Sequence, residues 1–438
     1  MTLAVQCSVS LLCTIACPLS CINAETIAFS CREVDVLVAG RVDTEDKVYD
    51  VVIVGARCAG APLGMLLAQQ GYSVEMVDRN PTGTDTLSTH WVRWPGVRQL
   101  RSWGLLPALE KTGCPPIVNA SLDFEGRMIS GRPRVEGIEV ATYAPRRTAL
   151  DALLVAEARA RGARLRERFA VTGLLVTGGR VAGVRGTGPD GPVALRARVV
   201  VGADGRNSTV ARLVESPVVE DRGVLARSVY GYWAGVAEPG VRVVFRGRRG
   251  ISLWPTNDGL TVVSLVFPPE EAPGSGRSAL ADFYLSSLRE VPEVEQALTG
   301  ADLVSQPRAA AVRNARRQAH GPGWVLAGDA GHHKDPVSAQ GISDAFVDAQ
   351  VLANALDAGL SGSAGLDRAM AGYAATRDAQ RLGAFAYTCE QAELRPFGAG
   401  FLDDLARTAA DEQAVETFLN TFVGCDAPSD AGWLGESH

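Results

Sequence analysis

The chain has 438 residues, 46% of them hydrophobic and 21% charged, with a formal net charge of -6. That length accommodates two or three domains of about 100–200 residues, each able to bury a core, and the composition lies far from that of disordered chains; a peptide hormone and a small disulfide scaffold are excluded. The acidic balance offers no broad basic face, so neither a nucleic-acid partner nor stable membrane association is expected. Lysine occurs only at Lys47, Lys111 and Lys334, so the abundance of arginine is compositional and carries little signal.

Residues 1–47 read as a leader, either disordered or the product of a start codon assigned too far upstream. Met1 to Ala24 is uncharged and partly apolar, but no basic residue precedes the apolar run and Ser8, Ser10, Pro18 and Ser20 interrupt it, which fits neither a secretion signal nor a membrane anchor. Cys7, Cys13, Cys17, Cys21 and Cys31 fall in this leader; Cys58, Cys114, Cys389 and Cys425 remain. A body so poor in cysteine reads as reduced and cytoplasmic. The five histidines lack metal-site spacing and no paired CxxC exists, so no metal is expected.

At Tyr49 the pattern changes. The stretch YDVVIVGARCAGAPLGMLLAQQGYSVEMVDRN reads as an apolar strand, a glycine turn, a helix of small and apolar residues, and a second strand. Val51 to Val54 is apolar throughout, as in a parallel strand covered on both faces. Leu150, Leu153, Leu154 and Ala158 predict an amphipathic helix over 147–161. Strands are expected over 164–169, 171–176, 180–184 and 198–201. A second block at 228–235, 241–245, 251–254 and 260–267, broken by Gly and Pro, reads as a separate antiparallel sheet. Beyond Gln340 the chain is expected to be mostly helical.

Three motifs carry the chemistry. In the turn Gly55-Ala56-Arg57-Cys58-Ala59-Gly60, Gly55 permits the bend, Gly60 and Gly64 let helix and strand approach, and the helix N-terminus presents free N–H groups to a pyrophosphate. Asp78, at the end of the second strand, can accept ribose hydroxyls. Arg57 stands where a middle glycine is usual, so its guanidinium must point outward or along the phosphates. The second motif is a strand ending in Ala203-Asp204-Gly205, and the third is a strand ending in Gly328-Asp329, then a loop and a helix beginning near Gln340. With these three in order, the chain resembles the FAD-dependent aromatic hydroxylases, the group A flavoprotein monooxygenases of the p-hydroxybenzoate hydroxylase type, over about Tyr49 to Asp378. The stretch Asp85 to His90 followed by Pro95-Gly96-Val97 is similar to an actinobacterial subgroup of NAD(P)/FAD-dependent oxidoreductases.

The resemblance implies one non-covalent FAD per chain. Gly55, Ala56, Arg57, Gly60 and Asp78 would form its dinucleotide site, with Arg79 over the adenosine, the backbone at Val171 meeting the adenine, and Arg147 approaching the diphosphate. Asp204 and Gly205 would shape the flavin-side surface and a passage for pyridine nucleotide. Asp329 would bond the ribityl chain, Pro336 would lie beside the ring, and Gln340 and Gly341 would aim a helix N-terminus at the flavin N1–C2=O region. NAD(P)H would be a transient co-substrate, since only one dinucleotide-type glycine turn is present. His333, Lys334 and His90 are candidate catalytic side chains and His332 lies beside them. Lys334 is expected at the surface in a salt bridge, because lysine is rarely buried. Tyr232, Trp233 and Trp254 are candidate substrate contacts.

The implied fold is α/β: a Rossmann-like FAD-binding domain of the glutathione reductase type (48–115, 144–217 and 304–360), an inserted antiparallel β-sheet substrate domain (116–143 and 218–303) and a C-terminal helical region (361–438). The implied activity is hydroxylation or epoxidation of a small aromatic or polycyclic secondary metabolite with NAD(P)H and O2, through a C4a-hydroperoxyflavin. Lys334-Asp335-Pro336 and Ala339-Gln340-Gly341 depart from the hydroxylases' paired prolines and Gly-Gln-Gly. Related loops in geranylgeranyl reductases and halogenases leave a reductase or dehydrogenase of an isoprenoid or polyketide, and a halogenase, as alternatives. Trp91-Val92-Arg93-Trp94-Pro95 lacks the halogenase Trp-x-Trp-x-Ile-Pro spacing.

Overall fold

The computed structural model describes residues 43–237, 240–274 and 276–425. Five parallel strands run in the order Arg164–Glu167, Val74–Asp78, Asp43–Val54, Gly191–Gly202 and Trp324–Leu326. The hairpin Ala170–Thr177 and Arg180–Gly188 extends the sheet antiparallel from Gly191–Gly202. Alternation along the first strand explains its unbroken apolar run. Val51 and Ile53 enter a core with Leu63 and Met65 of the helix Gly60–Gln69, while Val52 and Val54 enter a second core with Phe169, Val200 and Leu326. With both faces covered, neither set of positions tolerates a polar residue.

The first strand begins earlier than expected. It starts at Asp43, where its backbone pairs with Val193, and resumes pairing at Val48 with Arg196 after an irregularity. The partner strand is itself longer than the sequence suggested and reaches back to Gly191, so hydrogen-bonding partners outweigh the charge of the Asp43 to Lys47 run. The leader reading therefore shortens by five residues; its remainder, 1–42, lies outside the described residues.

The second sheet has the order His332–His333, Arg308–Arg317, Val218–Ala234, Leu260–Phe267, Arg249–Pro255, Val241–Arg246, Ala120–Phe124 and Arg127–Gly131. It is antiparallel except where Val241–Arg246 meets Ala120–Phe124. The segment expected to belong wholly to the FAD domain, 304–360, divides: Arg308–Arg317 and His332–His333 join this sheet, and only Trp324–Leu326 joins the first. The sequence RAAAVRNARR has small residues and arginines in place of a β-branched run, which hides the strand. Tyr230, Tyr232 and Trp254 join the central core, and Val229 and Trp233 face the helix Arg277–Arg289 with Tyr284 and Leu288. The C-terminal region is helical over Leu366–Ala392, Ala399–Ala409 and Glu412–Val423. No helix among the described residues is long and apolar enough to cross a membrane.

Candidate active site

The glycine turn is closed by contacts that leave no room for a side chain. Gly55 has φ +99, and a Cβ there would sit 2.4 Å from the Ala203 carbonyl oxygen; one on Gly60 would sit 1.8 Å from the Gly55 carbonyl oxygen. The Asp78 carboxylate accepts from the Ala56 N–H at 3.0 Å and from the Asn80 N–H at 2.9 Å, tying the turn to the end of the second strand. Ala56, Arg57 and Asp78 line a groove that Val155 and Leu165 continue. Arg79 is exposed and Val171 packs into the second core; neither lines that groove.

Beside Asp151, which lines the groove, stands Arg147, the first residue of the helix Arg147–Ala160. It donates to Asp151 through Nε at 3.0 Å and Nη2 at 2.9 Å. The Cys58 thiol, in the glycine turn, donates to the same carboxylate at 3.4 Å, and burial pushes its pKa far up.

Asp329 opens onto solvent, yet dense protein around it pushes its pKa up to about 6, with Arg147 pulling the other way and Asp344 adding to the rise. Gly341 follows closely in space, a Cβ there falling 4.0 Å from the Asp329 Oδ1. It opens the helix Gly341–Leu360, whose N-cap Gln340 provides no side-chain cap, and the Gln340 Oε1 is buried without a partner. Asp204 accepts from Ser208 Oγ at 2.5 Å and from the Thr209 N–H at 2.6 Å, so its carboxylate shapes the Asp-Gly loop. A glycine cradle, free N–H groups at a helix start and an orphaned buried acceptor fit FAD, which would lie from this groove to the Gln340 loop.

Ala339, where the hydroxylases have glycine, adopts φ +49, a conformation costing about 1 kcal/mol for a residue with a Cβ. Before it, the buried Asp335 accepts from the Val337 N–H at 2.9 Å, and burial pushes its pKa up to about 6. Its stabilisation is complete below about pH 4, where it is neutral folded and unfolded, and is lost as pH rises through 6. Asp335→Asn is therefore expected to raise the melting temperature of the apoprotein at pH 8, by on the order of 2 kcal/mol in stability, and to leave it unchanged at pH 4; thermal melts at the two pH values check this.

Lys334 is not at the surface. Its side chain is 4% exposed and its Nζ lies 2.7 Å from Asp344 Oδ2. Asp344 also meets Arg381 at 2.9 Å, and Arg381 meets Asp348 at 3.1 Å. Burial alone would raise the Asp344 pKa, but Arg381 and Lys334 hold it well below the carboxylate range. The lysine is tolerated inside because its charge is matched. His332 is buried against Phe385, and burial, reinforced by Lys334, lowers its pKa to about 3. His333 contacts the Asp329 carbonyl at 3.2 Å through Nδ1 and lines a cavity of about 350 Å³ with Arg206, Arg313 and Arg317. Arg313 pairs with Asp221 at 2.5 Å; Arg206 makes no hydrogen bond or ion pair among the described residues.

His90 is fully buried with φ +66, and its Nε2 lies 2.5 Å from the Tyr232 hydroxyl, while Nδ1 has no partner. Burial lowers its pKa to about 3, with Arg147 adding to the effect. Trp254 donates to the Thr89 carbonyl at 3.0 Å and stacks on Trp91. Trp233 does not join them: adjacent strand residues face opposite sides of a sheet, and its Nε1 instead donates to Tyr284 at 3.0 Å. Arg93 closes this region, its guanidinium donating to the carbonyls of Ser338, Thr421 and Phe422. Asp151, Asp344, Arg93 and the cavity arginines were not foreseen. Only the i,i+4 spacing of Arg147 and Asp151 offered a signal.

Comparison with known proteins agrees with this geometry. The family described as FAD binding domain matches residues 48–381. The chain belongs to that family. It is 31% identical over 329 residues to a 6-methylpretetramide 4-monooxygenase of Streptomyces rimosus, covering 68% of this chain and 73% of that one. It is 26% identical over 332 residues to a digeranylgeranylglycerophospholipid reductase of Methanocella arvoryzae, covering 71% and 79%. The structure of the flavin-dependent brominase Bmp2 superposes with a TM-score of 0.75 at 16% identity over 88% of this chain and 96% of that chain, a likeness of fold. The protein is an FAD-dependent oxidoreductase.

Proposed function

We propose that the protein hydroxylates a polycyclic aromatic secondary metabolite, using NAD(P)H and O2, in the cytoplasm. The observation that carries this reading is the convergence of the glycine groove, Asp329 and the Gln340 helix start on one side with the aromatic wall of Tyr230, Tyr232 and Trp254 on the other. Bound FAD supplies the redox chemistry, accepting hydride and activating oxygen. Gly55 and Gly60 would admit its diphosphate, Arg147 would donate hydrogen bonds to it, and Asp329 would accept from the ribityl hydroxyls. The free N–H groups at Gly341 favour negative charge at the adjoining edge of the ring. Tyr232, whose hydroxyl is held by a His90 that burial keeps neutral, offers the hydrogen-bonding group that orients a phenol. The aromatic wall, closed by Arg93, excludes water.

NAD(P)H would dock transiently with its phosphates toward Arg206 and Arg317. Substituting both by alanine is expected to raise the KM for NAD(P)H about tenfold with little change in FAD content; steady-state kinetics check this. The reading itself is tested by aerobic incubation of the holoenzyme with NADPH and a panel of polycyclic phenols, with mass spectrometry of the products. Incorporation of one oxygen atom from labelled O2 supports it. Full turnover of an alkene or alcohol without oxygen replaces it with a reductase, the activity named for the Methanocella arvoryzae relative, or a dehydrogenase, and halide-dependent product replaces it with a halogenase.

A further inference from the structure

Asp151 presents an oddity: a carboxylate only 4% exposed lines the groove assigned to an anionic diphosphate. Left alone it would repel that ligand. Its two oxygens, however, are engaged by Arg147 in a bidentate pair and by the Cys58 thiol from the glycine turn. We propose that Asp151 is a positioning residue for FAD, fixing the Arg147 guanidinium so that its remaining donors face the diphosphate, with Cys58 anchoring the carboxylate to the turn.

The donor inventory supports this. Asp151 takes the Nε hydrogen and one Nη2 hydrogen of Arg147, leaving both hydrogens on Nη1 and one on Nη2, and Nη1 makes no hydrogen bond to the described residues. A planar fork held along one edge presents its other edge in a fixed direction. Because Arg147 is the first residue of its helix, its side chain lacks the preceding turn that would otherwise restrict it; the partner one turn later supplies that restraint. Cys58 is suited to its part because burial keeps it a thiol, hence a donor. The pair is neutral overall, so the groove carries no net repulsion toward a phosphate.

The inference rests on the assignment of Arg147 to the diphosphate, and the test separates the two. FAD and riboflavin, which lacks the diphosphate, are titrated by flavin fluorescence into apoprotein carrying Arg147→Ala, Asp151→Ala, Asp151→Asn, Cys58→Ala or the first two combined. Arg147→Ala and Asp151→Ala are each expected to weaken FAD about 10- to 100-fold, the double variant no further than Arg147→Ala alone, and riboflavin binding to stay unchanged. Asp151→Asn, which keeps the shape and half the acceptor capacity, falls between and serves if the alanine variant does not fold; Cys58→Ala costs a few-fold. Near wild-type FAD affinity in both Asp151 variants, additive losses, or equal weakening of riboflavin would overturn the inference while the Arg147 assignment stands. Wild-type FAD affinity in Arg147→Ala would remove that assignment and the inference with it.

Discussion

Gly60→Ala is expected to give protein that purifies without FAD. A Cβ at this position meets the Gly55 carbonyl oxygen at 1.8 Å and the Ile53 Cγ2 at 3.0 Å. The first of these is backbone, so relief requires the turn to open. Opening it separates Gly55 from Ala203, against which it is packed, and pulls Ala56 from its hydrogen bond to Asp78. The change thus dismantles the phosphate cradle and both of its anchors at once. Gly372→Ala is the matched control: like Gly60 it lies in a helix without a positive φ, but nothing lies within 4 Å of the added Cβ. The ratio of flavin to protein absorbance after purification compares them. Stoichiometric flavin in Gly60→Ala would dissociate the turn from the diphosphate.

Lys334→Ala is expected to destabilise the holoprotein by about 2–3 kcal/mol. Removing one member of a buried ion pair typically costs roughly 3–5 kcal/mol because the other charge remains unmatched; here Arg381 stays beside Asp344 at 2.9 Å and softens the loss. Adding Asp344→Asn is expected to recover part of the stability, since no uncompensated carboxylate is then buried. Denaturant unfolding of the single and double variants measures both. A single variant as stable as wild type would mean that the lysine charge is not desolvated.

The parts of the site that could be read from the sequence are those where local chain geometry and chemistry coincide. Gly55, Gly60, Asp78 and the Gly328-Asp329 strand end are each dictated by a turn and a neighbouring strand, and all of that information is contiguous. The helix over Arg147–Ala160 was visible from its apolar spacing. What escaped was non-local. Lys334 finds Asp344 across a loop and Arg381 from another helix, so base rates of lysine burial pointed the wrong way. Trp233 was grouped with Tyr232 by its residue type, when its odd register on the strand placed it with Tyr284. The strand Arg308–Arg317 and the early start at Asp43 depend on partners far along the chain, which no local pattern encodes.

The clasp made by Arg93 also sets an order of events during synthesis. Its guanidinium closes on the carbonyls of Thr421 and Phe422, 328 and 329 residues later in the chain. At roughly 5–20 residues per second, those acceptors follow Arg93 out of the ribosome by about 16 to 66 seconds. Ala203, Asp329 and the Gln340 helix start emerge within that interval, the last of them 81 residues before Thr421, or about 4 to 16 seconds at the same rate, while the region that Arg93 closes still stands open. The nascent protein thus has time to take up FAD before the helix Glu412–Val423 shuts the wall.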